Sequence, residues 1–274
     1  MELLQIAEEM GAIYKQNPKV EAIILAGSVS RNLHDEHSDI ELHILWKTPP
    51  EDKDRKKPIE QVNGRILSYY PFEEEEWSES YVINAGVKLE ISNFLTTTVE
   101  NIISDIVDNH EIDYVKQCLV ASVNDGGSIY GHNIIASLKN RVAKYPLELA
   151  KRMISENLSF SNKWANRHAL LYRQDWLMLY EVICEIQKNL YGVLFGLNNI
   201  YVHHPAFKWM NYNIKSMHLK PQNLYNRMTT ILVGSPNNSV VELEKLIEEI
   251  IDLIEEQIPE LDISKQKERI GYVK

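Results

Sequence analysis

Cysteine is nearly absent from this 274-residue chain: Cys118 and Cys184 are the only two, and they lie far apart with no Cys-x-x-Cys spacing. That composition argues against a disulfide framework and against a cysteine zinc site, and it leaves both thiols expected as small buried hydrophobes. Long apolar runs are missing as well. No stretch approaches the roughly 20 consecutive apolar residues of a membrane span, and no basic-then-apolar segment opens the chain, so a cytoplasmic protein with no membrane partner is expected. Basic tracts are also lacking. With 29 Lys and Arg against 39 Asp and Glu, the formal net charge is −10. Long polyanions are held chiefly by Lys and Arg neutralising phosphates, so nucleic acid is disfavoured as a partner. An acidic surface instead attracts small cationic molecules, in a nonspecific and salt-screened way.

Against these absences stands one dense stretch, Leu25-Ala26-Gly27-Ser28-Val29-Ser30-Arg31, followed by Ser38-Asp39-Ile40-Glu41-Leu42. Val20 to Ala26 is mostly apolar and β-branched after Asn17-Pro18, which predicts a buried strand ending at Gly27, where backbone can approach a ligand closely. On the next strand Asp39 and Glu41 share one face while Ile40 and Leu42 take the other. Two carboxylates on one face repel each other, and a divalent cation between them relieves that repulsion. Magnesium suits such a pair, because it takes oxygen ligands from one or two carboxylates plus substrate phosphates. An amphipathic edge strand with both acids in solvent would show the same alternation; the Gly-Ser turn upstream favours the metal.

These residues resemble the nucleotidyltransferases of the DNA polymerase β type, which share a Gly-Ser motif, an acid-x-acid pair on the next strand and a third acid on a later one. The wording Ser-Asp-Ile-Glu-Leu looks most like the antibiotic-modifying members, the aminoglycoside and lincosamide nucleotidyltransferases. One departure is Asn32, where many members have Gly after the Arg of the turn; Asn tolerates left-handed backbone. The third acid implied by the resemblance is Glu90, on the alternating segment Val87-Lys88-Leu89-Glu90-Ile91-Ser92. Lys88 shares its face, as a phosphate contact or as a charge partner of Glu90.

The resemblance implies that Asp39 and Glu41 hold Mg2+ on a nucleoside triphosphate, with Glu90 as third metal ligand, general base, or both. Gly27 and Ser28 would meet the outer phosphates at a helix start, and Arg31 would reach the same phosphates. The implied reaction moves a nucleoside monophosphate, with ATP the expected donor, to a hydroxyl of a small-molecule acceptor such as an aminoglycoside. Two other readings stay open, a transferase that AMPylates a protein hydroxyl and a catalytically weak nucleotide-sensing module. A homodimer also stays open.

The predicted fold class is α+β: a mixed-sheet nucleotidyltransferase domain over residues 1–145, then an all-α helical bundle over 146–274. Before Pro146 the patterning predicts a helix over 2–16, strands near 20–26, 39–46, 65–71 and 87–94, and helices near 98–109 and 112–121. After it, helical spacing runs over 147–164, 175–197, 221–232 and 240–258. Thr97-Thr98-Val99-Glu100 and Ser239-Val240-Val241-Glu242 read as capping boxes.

In the helical half, Asn198-Asn199-Ile200-Tyr201 and Pro205-Ala206-Phe207-Lys208-Trp209 resemble a pattern in the C-terminal domains of some bacterial nucleotidyltransferase-like families. A lysine at a helix start is electrostatically disfavoured without an anion, so Lys208 is a candidate donor to the triphosphate and Tyr201 or Trp209 a candidate base-stacking ring. The other reading makes Phe207 and Trp209 core aromatics and lets Lys208 snorkel. A helix over 156–173 carrying Asn162, Lys163, Asn166, Arg167 and His168 is expected to add polar contacts. Glu73-Glu74-Glu75-Glu76 reads as a solvated loop or as the lining of an acceptor pocket. The cluster His34-Asp35-Glu36-His37 reads as a polar turn, since zinc needs about four convergent ligands.

Overall fold

The computed structural model describes residues 3–273. It divides into two compact units, one comprising residues up to Asn109 together with Lys116–Lys144, the other His110–Val115 together with Tyr145 onward.

The first unit is built on a six-stranded mixed sheet. Helix α1 (Leu3–Tyr14) leads into β1 (Val20–Ala26), the single turn α2 (Gly27–Ser30), β2 (Ile40–Trp46) and α3 (Asp52–Gln61). Strands β3 (Arg65–Tyr69), β4 (Trp77–Val82) and β5 (Lys88–Leu95) follow, then α4 (Thr96–Val107), α5 (Tyr114–Asp125), β6 (Gly127–Tyr130) and α6 (His132–Val142). The sheet order is β3-β4-β5-β2-β1-β6, antiparallel at every pairing except β2 with β5, which run parallel.

Alternation decides which side of the sheet is dry. Ile40, Leu42, Ile44 and Trp46 of β2, with Ile23 and Leu25 of β1 and Leu89 and Ile91 of β5, form the core with Ile6, Ala7, Met10 and Tyr14 of α1 and Ile59 of α3. Glu41, His43, Glu90 and Ser92 therefore belong to the opposite face. The dry face also holds one buried ion pair. The Arg55 guanidinium lies 2.7 Å from Glu79, whose other oxygen accepts from Asn93 Nδ2 at 3.0 Å, and Asn93 Oδ1 in turn accepts from Trp46 Nε1 at 2.9 Å. Arg55 also donates to the carbonyls of Tyr70 and Ser78 and stacks on Tyr69.

The second unit is helical throughout. It contains α7 (Leu147–Asn157), α8 (Arg167–Arg173), α9 (Trp176–Leu197), α10 (Met210–Ser216), α11 (Leu224–Val233), α12 (Pro236–Gln257) and α13 (Ser264–Gly271). The 22-residue α9 is its axis, burying Leu179, Val182, Ile183, Ile186 and Leu190. Close approach to α7 requires small residues: a Cβ on Gly192 would lie 2.4 Å from Asn157 Oδ1, and one on Gly196 would lie 2.7 Å from Met153 Cβ. Residues 110–115 group with this unit because Tyr114 donates to Asn157 Oδ1 at 2.6 Å and packs edge-on against Phe207. Among the described residues no helix is long and apolar enough to cross a membrane.

Several sequence expectations are corrected locally. The helix over 156–173 is broken: α7 ends at Asn157, a short 3₁₀ turn spans Trp164–Asn166, and α8 covers only Arg167–Arg173. Neither capping box forms. Helix α4 starts directly from β5 at Thr96, whose hydroxyl donates to Glu21 instead, and α12 starts early at Pro236, leaving Ser239 inside the helix with its hydroxyl on the Ser235 carbonyl. Cys184 is exposed, whereas Cys118 is half-buried.

Candidate functional site

The candidate site lies where β1, β2 and β5 run side by side on the polar sheet face. Parallel pairing sets Glu41 directly beside Glu90, and antiparallel pairing sets Glu41 beside Ala26, the last residue before Gly27. Asp39 immediately precedes β2, so it falls alongside Lys88 at the start of β5. The register thus brings Asp39, Glu41, Glu90, Lys88 and Gly27 to one edge of one face. Since the pleat repeats every two residues, a slip of one would send these carboxylates into the apolar core.

Gly27 is required by this geometry. Its φ of +66° is left-handed, and a Cβ there would lie 2.4 Å from Glu41 Oε1. The Glu41 carboxylate is laid against bare backbone, which no other residue would allow. The Gly27 carbonyl accepts from Ser30 Oγ at 2.9 Å and from Arg31 Nε at 3.2 Å, pinning the turn from two sides. Ser28 is buried at the start of that turn. Arg31 Nη1 is buried and has no hydrogen-bond partner, so a guanidinium donor remains open beside Gly27. Asn32 takes the left-handed conformation its side chain tolerates, at φ 54°. Helix α2 has only four residues, so the helix-dipole attraction expected for phosphate is small, and local N–H groups are the donors that remain.

Lys88 departs from expectation in one respect. Its ammonium lies 2.5 Å from Glu90 Oε1 and also 2.8 Å from Asp39 Oδ2, bridging two strands. Those two hydrogen bonds hold the Lys88 pKa above its usual value. Among the described residues no group of three His, Cys, Asp or Glu side chains is gathered closely enough to hold a metal ion. The donor set nonetheless fits magnesium in kind: three carboxylates on one face, all oxygen, with glycine backbone against one of them.

Two neighbours of the site had no motif to reveal them. His43 lies two residues along β2 from Glu41 on the same face; both its ring nitrogens are buried without partners, and burial lowers its pKa to about 4, so it is neutral at pH 7. Alternation from Glu41 was the one signal for it. Cys118 of α5 feels the charges of both Glu41 and Arg31, and burial pushes its thiol up to about 11. At pH 8 iodoacetamide is therefore expected to alkylate exposed Cys184 rapidly and Cys118 much more slowly, as read by peptide mass spectrometry; equal rates would contradict the burial of Cys118.

The remaining expectations divide. Glu73, Glu74 and Glu75 are exposed in a tight turn, with left-handed backbone at Glu74 and Glu75. Glu76 is different: it is half-buried and bonded to Ser92, and burial raises its carboxyl above the usual range. A cavity of 380 Å³ adjoins Asp39 and Lys88 and is lined by His34, Asp35, Glu36 and His37. A larger one of 800 Å³ lies by Asn17 and α3, where Lys19, Lys53 and Lys56 are already paired with Glu51, Asp54 and Asp52.

In the helical unit, Lys208 is not at a helix start. It precedes the seven-residue α10 by two positions and lies between Phe207 and Trp209, both left-handed. The macrodipole argument for it falls away. Phe207 is a core ring packed on Tyr191 and Phe195, Tyr201 is buried against Tyr145, and Trp209 is 37% exposed. Arg167 and His168 are engaged by Glu244, and Lys163 by Glu181, inside this unit. Asn166 Nδ2 also donates to the Asn162 carbonyl, so four of these five polar side chains make contacts within the unit.

Comparison with known proteins gives the following. Residues 113–210 match a domain of unknown function, DUF4037. No curated protein matches the chain. Among solved structures, the chain is similar to Cid1 poly(U) polymerase at 11% identity and a TM-score of 0.29, over 44% of this chain and 39% of that one. It is also similar to an aminoglycoside 6-adenyltransferase from Bacillus subtilis at 8% identity and a TM-score of 0.31, over 99% of this chain and 98% of that one.

Proposed function

We propose that this protein is a magnesium-dependent nucleotidyltransferase of the DNA polymerase β type that transfers a nucleoside monophosphate from a triphosphate, with ATP as donor, to a hydroxyl of a small-molecule acceptor. The observation that carries this reading is the register: Glu41 paired with Glu90, Asp39 at the head of the same face, and Gly27 laid against Glu41. Aminoglycoside-like acceptors suit the net charge of −10.

Asp39, Glu41 and Glu90 supply the oxygen ligands, and the metal they hold would neutralise the triphosphate and orient it for in-line attack. The Gly27 and Ser28 amides and the Ser28 hydroxyl donate to the outer phosphate oxygens. Arg31 adds its open guanidinium donor, whose fork matches phosphate geometry. Glu90, 49% exposed on its side chain, accepts the proton of the acceptor hydroxyl as the hydroxyl oxygen attacks the α-phosphorus and pyrophosphate leaves. A division of the chain near residue 145 and a cytoplasmic location belong to the same proposal.

The test is calorimetry of the full chain with magnesium and α,β-methylene-ATP. Asp39→Asn and Glu41→Gln keep shape while each removes one charge, so metal-dependent binding is expected to weaken at least about tenfold with the fold retained by circular dichroism. Unchanged affinity in both variants would sink the metal-nucleotide reading.

A further inference from the structure

We propose that Lys88 is an internal counter-cation for the carboxylate cluster, displaced when a divalent metal enters and then paired with the incoming triphosphate. The inference rests on the metal-nucleotide reading above and adds a coupling to it: the metal binds more tightly with the nucleotide than alone.

The geometry follows from the strand register. Parallel pairing of Ile40 with Leu89 puts Lys88 next to Asp39, and the two-residue pleat puts Glu90 on the same face. The Lys88 ammonium lies 2.8 Å from Asp39 Oδ2 and 2.5 Å from Glu90 Oε1. It therefore occupies two of the three carboxylates that a metal would need. In the absence of nucleotide this has a clear benefit: three carboxylates on adjacent strands repel one another, and one ammonium relieves much of that repulsion.

A divalent cation arriving alone must compete with a positive charge already seated among its ligands, and must leave that charge nearby without a counter-ion. A metal-bound triphosphate removes both penalties, because its anionic oxygens complete the metal's shell and offer the ammonium new acceptors. Lysine suits this exchange better than arginine, being a compact point charge on a flexible stem. The side chain is 32% exposed and borders the 380 Å³ cavity beside Asp39, which leaves it room to move. Metal and nucleotide are consequently coupled through Lys88, and coupling of this kind is reciprocal.

The experiment measures Mn2+ binding to the full chain by the loss of its free paramagnetic resonance signal, with and without α,β-methylene-ATP. Lys88→Met is expected to tighten binding of Mn2+ alone by about tenfold, within the usual range of coupling between sites, while weakening the metal-analogue complex. Mn2+ affinity in Lys88→Met equal to or weaker than that of wild type overturns the exchange, even where wild type binds Mn2+ with the analogue normally. Failure of both proteins to take up Mn2+ with the analogue present overturns the metal reading and the exchange with it. A wild-type measurement guards against misfolding of the variant. Acetylation of Lys88 by acetic anhydride, followed by peptide mass spectrometry, is expected to accelerate severalfold at saturating Mn2+ and to slow when the analogue is added. An acetylation rate indifferent to Mn2+ overturns displacement.

Discussion

Replacing Glu90 by Gln is expected to cut turnover by about two to four powers of ten, the range for loss of a general base. The substitution is nearly isosteric, so Leu89 and Ile91 on either side keep their places in the core and the fold survives. What is lost is a proton acceptor on the polar face of the sheet, beside Glu41. Pyrophosphate release from ATP and magnesium over a panel of aminoglycosides measures it. The metal affinity of the same variant separates the two roles: unchanged Mn2+ binding with slow turnover makes Glu90 a base, whereas parallel losses make it a ligand as well. Near-normal turnover would remove Glu90 from the site.

The largest effect on stability is expected at Arg55. Arg55→Met leaves Glu79 as a charge buried on the dry face with only Asn93 beside it, and breaking a buried pair from one side typically costs about 3–5 kcal/mol. The loss depends on pH, with a definite sign. Burial already outweighs the Arg55 guanidinium and pushes the Glu79 carboxyl up to about 7; without Arg55 it rises further. A carboxyl whose folded pKa exceeds its unfolded value keeps its proton in the folded state. Its contribution to stability is therefore favourable at low pH and is lost as pH rises through the folded pKa. Urea unfolding should then show a large deficit for Arg55→Met at pH 8 and a smaller one at pH 5. Adding Glu79→Gln should recover much of the pH 8 deficit, because the stranded charge is gone. A deficit equal at both pH values would place the cost in lost packing over Tyr69 rather than in the stranded carboxylate.

Where the sequence carried a strong period, the structure follows it. Strands β1, β2 and β5, helix α1 and the long helices α9 and α12 lie close to where apolar alternation or helical spacing placed them. Elements without such a period went unseen. Helix α3 is Asp-Lys-Asp-Arg-Lys-Lys-Pro-Ile-Glu-Gln, with Pro58 inside it and only Arg55, Pro58 and Ile59 buried, so one turn of contacts and not a stripe of leucines holds it. Strand β6 has four residues and pairs only at the sheet edge, too short for alternation to register. Strand β4 hid behind the acidic run that precedes it, and its Glu79 reads as a surface charge until Arg55 is seen opposite it.

By itself the sequence determined the chemistry on offer. Gly27 and Ser28 end an apolar strand, Asp39 and Glu41 alternate with Ile40 and Leu42, and Glu90 lies on a second alternating strand; local period and residue type suffice for each of these because each is a property of one segment. Pairing between segments was decided only by the tertiary structure. The parallel register that sets Glu41 beside Glu90, the bare Cα of Gly27 under the Glu41 carboxylate, and the Lys88 ammonium between Asp39 and Glu90 all depend on which strand lies next to which, and at what offset. That offset is set by burying Ile40, Leu42, Leu89 and Ile91 together against α1, a sum of apolar contacts spread over distant parts of the chain that no single window of sequence contains.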